Sequence, residues 1–424
     1  MSKGTRLRWI AVLATLILAA PTTLATSSLA VPSIAADPAV IARWDGIAMR
    51  TVIGLGPPAQ FYLAFVSAAM YNAVVTIEGR FEPYTEQPRA HANASPEAAA
   101  ATAAHRVLTT LFPASAEPLA ADYAASLASI RGGAAKVHGI RVGEAAASAI
   151  LQLREGDGRN AAIPPLVPGD GPGEWRGTPP NAEDAPMLAP WLGFVRPFLL
   201  ESPTQFTLPG PDPVDSQAYA DDFAEVLADG KIDSVTRTPE ETRTALFFSD
   251  NVIRQYQEAR GVLAADQGLD IADTARMFAI LNMTTADAQI SCWRAKYDYA
   301  FWRPITAIRT TVDADWTPMI PTPLYPDYTS GHACLTGSMA NGLSYLFPSG
   351  FDLQMSTNIL GASPTVPQTA PTIRHYTSAA SLNADTMNAR IWLGIHFRRA
   401  MIDGNQLGHD VSAWAVENYF QPVE

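Results

Sequence analysis

Two basic residues beside a proline form the first pattern in this 424-residue sequence that could do chemistry. Lys296 and Arg303 are seven residues apart, so a helix would place both cations on one face. Pro304 disfavours helical backbone at Arg303, which predicts that the helix ends there. Two cations at a helix end suit an anion with several oxygens. A solvated basic face is the simpler alternative, although the aromatic residues between the two cations disfavour it.

A second pattern, Ser330-Gly331-His332, lies directly before a predicted helix that starts at Ala333. A turn that runs into a helix presents free backbone N–H groups and the positive end of the helix dipole, and both attract oxyanions. His332 at the edge of such a cradle could transfer protons. An ordinary helix cap without chemistry is the alternative.

A third pattern pairs Arg390 with His396, six residues later. On an ideal helix this spacing leaves about 120° between the two side chains, so they would not share a face. Either the long arginine side chain reaches around the helix, or the helix bends or ends near Gly394. A purely structural role is the alternative for His396.

Lys-x6-Arg-Pro, Ser-Gly-His and Arg-x5-His, in that order, resemble the vanadium-dependent haloperoxidase family. The related type 2 phosphatidic acid phosphatases and bacterial acid phosphatases share the constellation. Longer stretches also look like haloperoxidase-type bacterial sequences, namely DPAVIARWDGIAM at 37–49, FWRPITAI at 301–308 and GIHFR at 394–398. The resemblance covers nearly all of the chain after its first 30 residues.

The resemblance implies a role for each residue of the three patterns. His396 would bind vanadium through Nε2, or would be the nucleophile that takes the phosphoryl group in a phosphatase. His332 would be the acid–base group that handles peroxide or protonates a leaving group. Vanadate and phosphate are both tetrahedral oxyanions, which cations and N–H donors stabilise. The remaining residues would neutralise and hydrogen-bond the oxyanion oxygens: Lys296, Arg303, Arg390, Ser330 and Gly331.

Three functions compete on these residues. In the first, an oxidoreductase holds vanadate that activates hydrogen peroxide for halide oxidation, with no change in the oxidation state of vanadium. In the second, a soluble acid phosphatase cleaves a phosphate ester through a phosphohistidine at the same site. In the third, a helical protein without enzymatic activity binds phosphate or nothing. The complete set of residues in the three patterns argues against the third function. A site that had lost its activity should lack at least one of these residues.

Some positions depart from the family pattern. Thr329 stands where the family usually has proline. Ala400 stands where the family usually has the aspartate that orients the ligand histidine, so we expect Asp403 or a backbone carbonyl to take that role. Tyr325 occupies a position at which family members of different halide preference differ, which leaves the halide open.

The elements that must position these residues are predicted to be helices, since apolar residues recur at helical spacing and strand patterns are scarce. We expect an all-α protein of helical bundles. Its two packed helical halves, residues 31–155 and 216–424, are joined by a long Pro/Gly-rich wrap at 156–215, and the second half carries the oxyanion site. Helical patterns cover residues 37–52, 60–77, 95–111, 116–127, 134–156, 216–227, 238–248, 251–262, 271–302, 333–346, 378–397 and 403–418.

The first 30 residues are typical of a signal peptide. Three basic residues precede an apolar stretch at 9–20, and Ser28-Leu29-Ala30 offers small residues for cleavage. We therefore expect export, to the periplasm or the medium, of a protein that begins near Val31. The later apolar segment 61–75 is short and contains polar residues, which predicts a core helix and no membrane span in the mature chain.

Composition excludes several classes of partner and site. The formal net charge of −12 argues against binding to nucleic acid or to anionic lipid, both of which require a basic surface. The two cysteines, Cys292 and Cys334, exclude a disulfide scaffold and a zinc site of the usual Cys-x-x-Cys spacing. One bridge between them is the most the sequence allows, and two buried free thiols are the simpler expectation.

Overall fold

The structure, a computed structural model, describes Met1, residues 36–357 and residues 372–423. The predicted signal peptide and its cleavage site lie outside the described residues. Within these ranges the chain forms thirteen α-helices and one antiparallel pair of short strands, so the predicted all-α class is confirmed.

The elements fall into two groups along the chain. Before the proline-rich segment the helices are α1 (Ala39–Val52), α2 (Ala59–Glu78), α3 (Pro96–Leu111), α4 (Ala116–Ser129) and α5 (Ala134–Leu153). After it they are α6 (Gln217–Asp229), α7 (Pro239–Phe247), α8 (Val252–Asp266), α9 (Ile271–Tyr299), α10 (Pro304–Thr311), α11 (Gly331–Leu346), α12 (Ala379–Trp392) and α13 (Arg398–Asn418). The strands β1 (Leu353–Thr357) and β2 (Thr372–Tyr376) pair in antiparallel register between α11 and α12.

Side-chain caps fix many of the helix starts. Ser95 accepts the backbone N–H of Ala98 at the start of α3, and Asp270 accepts two backbone N–H groups at the start of α9. At α7, Thr238 and Glu241 form a reciprocal capping box. These local signals explain why most helices begin close to where the sequence predicts them.

Five boundaries or elements differ most from the sequence prediction. Helix α9 ends at Tyr299, three residues early, because Ala300 adopts a left-handed conformation. Helix α12 ends at Trp392 and α13 begins already at Arg398, so the chain between them is not helical. The short helix α10 and the β1–β2 pair were not predicted, since each is too short to show a clear period.

Helices α2 and α9 form the centre of the core, and both are buried over most of their length. Helix α2 also packs on α3 and α5, whereas α9 also packs on α11 and α13. One apolar cluster therefore contains residues from both sides of the proline-rich segment, from Val40 to Phe420. Helix α2 is the one described helix long and apolar enough to cross a membrane, and 83% of its apolar window is buried inside the protein.

Residues 154–216 contain no α-helix in the structure, only the short 3-10 helix Pro190–Phe194. This segment is nevertheless packed, because Trp175 and Leu192 are buried in the main core. The Asp287 carboxylate on α9 accepts the backbone N–H groups of the segment's Phe198–Leu200, at 2.7, 2.6 and 3.0 Å. The segment is thus anchored to the helix that leads to the candidate site.

Candidate active site

Lys296 lies in the last turn of α9 and is fully buried. Its Nζ donates hydrogen bonds to the carbonyl oxygens of Pro326 and Asp327, at 2.7 and 3.1 Å. Burial lowers the pKa of Lys296 to about 8, a shift that the nearby Arg303 guanidinium reinforces. One N–H group of the ammonium remains for a further acceptor.

Arg303 does not share a helix with Lys296, so the predicted common helix face is wrong. It is the N-cap residue of α10 with extended backbone, and Pro304 occupies the first helical position. The left-handed turn at Ala300 brings its guanidinium back towards α9. Nε donates to the Tyr325 carbonyl at 2.8 Å, and the side chain is fully buried.

Ser330 and Gly331 form the N-terminus of α11, as the second pattern predicts. The Ser330 hydroxyl oxygen lies 3.5 Å from the Ala333 backbone N–H that it caps, so the cap interpretation is also correct. Gly331 is the first helical residue, where the backbone N–H has no acceptor within the helix. A Cβ at Gly331 would lie 3.1 Å from the Trp293 ring, so a larger residue would require this ring to move by a few tenths of an ångström. His332 follows one residue later.

A helix ends between Arg390 and His396, which is one of the two alternatives that the sequence left open. Helix α12 stops at Trp392, and Gly394 has a φ of +76°, a conformation that favours glycine. Arg390 is 3% exposed, and its Nη1 donates to the Phe248 carbonyl at 2.7 Å. His396 lies in the link before α13, where the Ile395 carbonyl accepts a hydrogen bond from Arg303 Nη1 at 2.5 Å.

The partner of His396 is Asp327, a residue that the sequence did not single out. Its Oδ1 lies 2.8 Å from His396 Nδ1, and both side chains are buried. The expected partner Asp403 instead accepts from Tyr328 and Arg399, at 2.6 and 2.8 Å. Asp327 lies three residues before the second pattern. Its partner His396 is 69 residues away along the chain, and a pair so far apart leaves no spacing signal in the sequence.

The two histidines lie in a strongly cationic environment. Burial lowers the pKa of His332 well below its ordinary value, and Arg390, Arg303 and Lys296 lower it further. Burial likewise lowers the pKa of His396, with the same three cations contributing. Both imidazoles are therefore neutral at neutral pH. Burial also raises the pKa of Asp327 to about 7, against the opposing effects of Arg303 and Lys296.

Several buried polar atoms around these residues lack a hydrogen-bond partner within the described part of the chain. They include Arg303 Nη2, Arg390 Nε and His332 Nε2. Unpaired buried donors are costly, so their grouping beside three cations indicates a place for an acceptor-rich anion. Three cations face one carboxylate, which leaves a net positive site. This donor set fits vanadate or phosphate, which offer only oxygen acceptors.

The two cysteines lie beside the same site as buried free thiols. The Thr329 hydroxyl group lies 3.3 Å from Cys292 Sγ and 3.5 Å from Cys334 Sγ. The simpler expectation of two buried thiols agrees with the structure. Among the described residues, no group of three or more His, Cys, Asp or Glu side chains forms a cation site.

A cavity of about 160 Å³ reaches His332 from the side of α8. His332 and Gly331 are among the residues that line it. Its walls are mostly apolar and include Val252, Ile253, Gln289, Trp293, Tyr325 and Leu335. The cavity therefore lies beside His332, one of the residues of the second pattern.

Comparisons with known proteins point to one family. The family described as the VCPO second helical-bundle domain matches residues 276–424. The solved structure of the first bacterial vanadium-dependent iodoperoxidase is 23% identical, covers 92% of this chain and 98% of its own, and has a TM-score of 0.77. The holo-type bacterial vanadium-dependent chloroperoxidase is 17% identical, covers 87% and 92%, and has a TM-score of 0.71.

A curated relative gives the same result by sequence. The vanadium chloroperoxidase of Curvularia inaequalis is 24% identical over 294 residues, which is 52% of this chain. That match spans about half of the relative's own length, 48%. Residues 276–424 therefore match the VCPO second helical-bundle domain, and the chain shares the fold of the bacterial vanadium-dependent haloperoxidases.

Proposed function

We propose that the protein is a vanadate-dependent haloperoxidase-type oxidoreductase that oxidises a halide with hydrogen peroxide. The balanced reaction takes X⁻, H₂O₂ and H⁺ to HOX and H₂O, so the halide is oxidised and the peroxide oxygen is reduced. The observation that carries the proposal is the grouping of three buried cations, two neutral imidazoles and unpaired donors at one helix N-terminus. The names of the similar proteins support the same chemistry.

Each residue has a distinct task in this proposal. Lys296, Arg303 and Arg390 would balance the charge of the oxyanion, while the Ser330 hydroxyl and the Gly331 N–H would donate hydrogen bonds to its oxygens. His396 would bind vanadium through the lone pair of Nε2. When bound, vanadate supplies a Lewis-acidic centre that activates hydrogen peroxide towards attack by halide.

His332 is the proposed proton carrier. It lines the cavity, and its Nε2 has no hydrogen-bond partner among the described residues. The depressed pKa keeps this imidazole neutral, so Nε2 is ready to accept a proton from hydrogen peroxide. Returning that proton would form the water that leaves.

The proposal is tested with purified protein, orthovanadate, hydrogen peroxide and each halide in turn. A β-diketone dye reports halogenation by its loss of absorbance, and we expect turnover with bromide that requires vanadate. His396→Ala should abolish it. A different result would favour the acid phosphatase hypothesis over this one: no halogenation with vanadate, together with phosphate release from p-nitrophenyl phosphate in its absence.

We also propose that the protein is exported, on the basis of the basic and apolar residues before Ala30. Expression of the full sequence in a bacterial host should deliver a product to the periplasm or the medium whose N-terminus lies near Val31. N-terminal sequencing of that product checks the cleavage site. Retention of the uncleaved chain in the cytoplasm would contradict the proposal.

A further inference from the structure

The ligand histidine lacks the family's usual orienting aspartate, because position 400 is alanine in this chain. Asp403, the nearest acidic candidate along the sequence, is already bound by Tyr328 and Arg399. A carboxylate from a different element has taken the place beside His396. Asp327 Oδ1 lies 2.8 Å from His396 Nδ1, and the exposed fractions of the two side chains are 1% and 2%.

The backbone around Asp327 is held in place from several sides. Its N–H donates to the Phe301 carbonyl at 2.9 Å, and its carbonyl accepts from Lys296 Nζ at 3.1 Å. The preceding carbonyl, that of Pro326, accepts from the same ammonium group at 2.7 Å. The segment that carries the carboxylate is therefore fixed by the residue proposed to bind the oxyanion, and a fixed acceptor is what orients an imidazole ring.

The direction of the hydrogen bond decides what His396 can do. A neutral imidazole carries its proton on one nitrogen only, and an ionised carboxylate accepts but cannot donate. If Nδ1 donates to Asp327, the lone pair must be on Nε2. Arg303 Nη1, which can only donate, lies 3.2 Å from Nε2 and 3.4 Å from Nδ1, so the contact with Asp327 is the one that selects the tautomer.

We propose that Asp327 is the positioning residue of this site, which fixes His396 as the Nδ1–H tautomer and so keeps on Nε2 the lone pair that would bind vanadium. This inference rests on the proposed function, because the proposed function supplies the vanadium that Nε2 would bind. It assigns to the Tyr325–Thr329 loop the task that family members give to an aspartate on the helix after the histidine. Orienting partners of this kind typically change metal affinity by roughly 10–100-fold when removed.

The first measurement reads the tautomer in the protein without vanadate. Nitrogen-15 NMR of histidine-labelled protein distinguishes a protonated from an unprotonated ring nitrogen, and the His396 signals are those missing from His396→Gln. We expect wild-type His396 to carry its proton on Nδ1 in mildly basic solution. A proton on Nε2 would overturn the proposal. This result does not depend on the folding of Asp327→Ala or on any enzymatic turnover.

The second measurement is orthovanadate binding, followed by calorimetric titration. Asp327→Ala should lose the tautomer preference and bind orthovanadate roughly 10–100-fold more weakly than wild type. Asp403→Asn is the matched control, because it changes a nearby buried carboxylate that does not contact His396, and it should leave both readouts unchanged. Wild-type affinity in Asp327→Ala, with its fold checked by circular dichroism, would overturn the proposal.

The two proposals fail separately. Vanadate binding with the expected tautomer but without halide oxidation would refute the proposed function and leave the role of Asp327 intact. If wild-type protein does not bind orthovanadate, the proposed function falls and the tautomer measurement alone decides the role of Asp327.

Discussion

At the scale of single residues, the candidate site depends on cations that water does not reach. Lys296 is the most sensitive of them, because burial lowers its pKa to about 8 while the pKa of Arg390 falls only to about 10. A lysine that shares its ammonium between two carbonyls and an anion must be protonated for the anion to bind. The charge of the site should therefore change in mildly basic solution through Lys296.

We predict that oxyanion affinity falls as pH rises through the pKa of Lys296. Sulfate is the best probe, since its own charge is constant over this range. Its affinity should be about tenfold weaker at pH 9 than at pH 7, because only the protonated lysine binds it and linkage gives a tenfold change per pH unit above the pKa. Titration calorimetry at several pH values measures this.

Lys296→Met is the control for that pH dependence. It should bind sulfate more weakly at every pH, by roughly 30-fold at pH 7 for a loss of about 2 kcal/mol from a buried charged contact. It should also lose the change between pH 7 and pH 9. A variant that keeps the wild-type pH profile would show that another group titrates.

The residues of the three patterns could be identified from the sequence because each pattern is local. Ser330-Gly331 begins a helix as expected, and Arg390 and His396 meet through a helix end that Gly394 allows. The partner of His396 could not be identified, because Asp327 reaches it from another segment through the tertiary fold. Spacing along the chain carries no information on such a contact.

At the scale of elements, helix boundaries decide which groups meet. The shared helix face predicted for Lys296 and Arg303 fails because Ala300 ends α9 early in a left-handed turn, a conformation that the sequence does not signal at an alanine. Pro304 occupies the first position of α10, where proline favours the start of a helix. The sequence did not predict α10, because a helix of eight residues is too short to show a helical period. The site therefore depends on the turn between α9 and α10.

The proline-rich segment is hydrogen-bonded through Asp287 to α9, the helix that ends in that turn. We predict that Asp287→Ala lowers the free energy of unfolding by about 3 kcal/mol, at roughly 1 kcal/mol for each of the three backbone hydrogen bonds from Phe198–Leu200. Urea denaturation followed by tryptophan fluorescence measures the change. Asp287→Asn keeps one acceptor oxygen and should lose less. Equal stability of Asp287→Ala and wild type would show that these bonds do not hold the segment.

At the scale of the whole molecule, the division into helical halves at 31–155 and 216–424 remains a prediction, but the described residues show what joins them. Asn282 on α9 donates to Asp45 on α1 and to Ser67 on α2, at 2.9 and 2.7 Å. Its backbone carbonyl accepts from Gln60 at 3.0 Å. This network is buried beneath a continuous apolar cluster, so neither side can open without exposing the other.

We therefore predict a single cooperative unfolding transition for the chain from residue 31 onwards. Sulfate provides the sharper test, because the candidate site is built only from residues after the proline-rich segment. If the halves unfold together, sulfate at about 100 times its Kd should stabilise the whole transition by about 2.7 kcal/mol. Differential scanning calorimetry would then show one peak that moves as a unit. Two peaks, of which only one responds to sulfate, would show that the halves are independent domains despite their shared core.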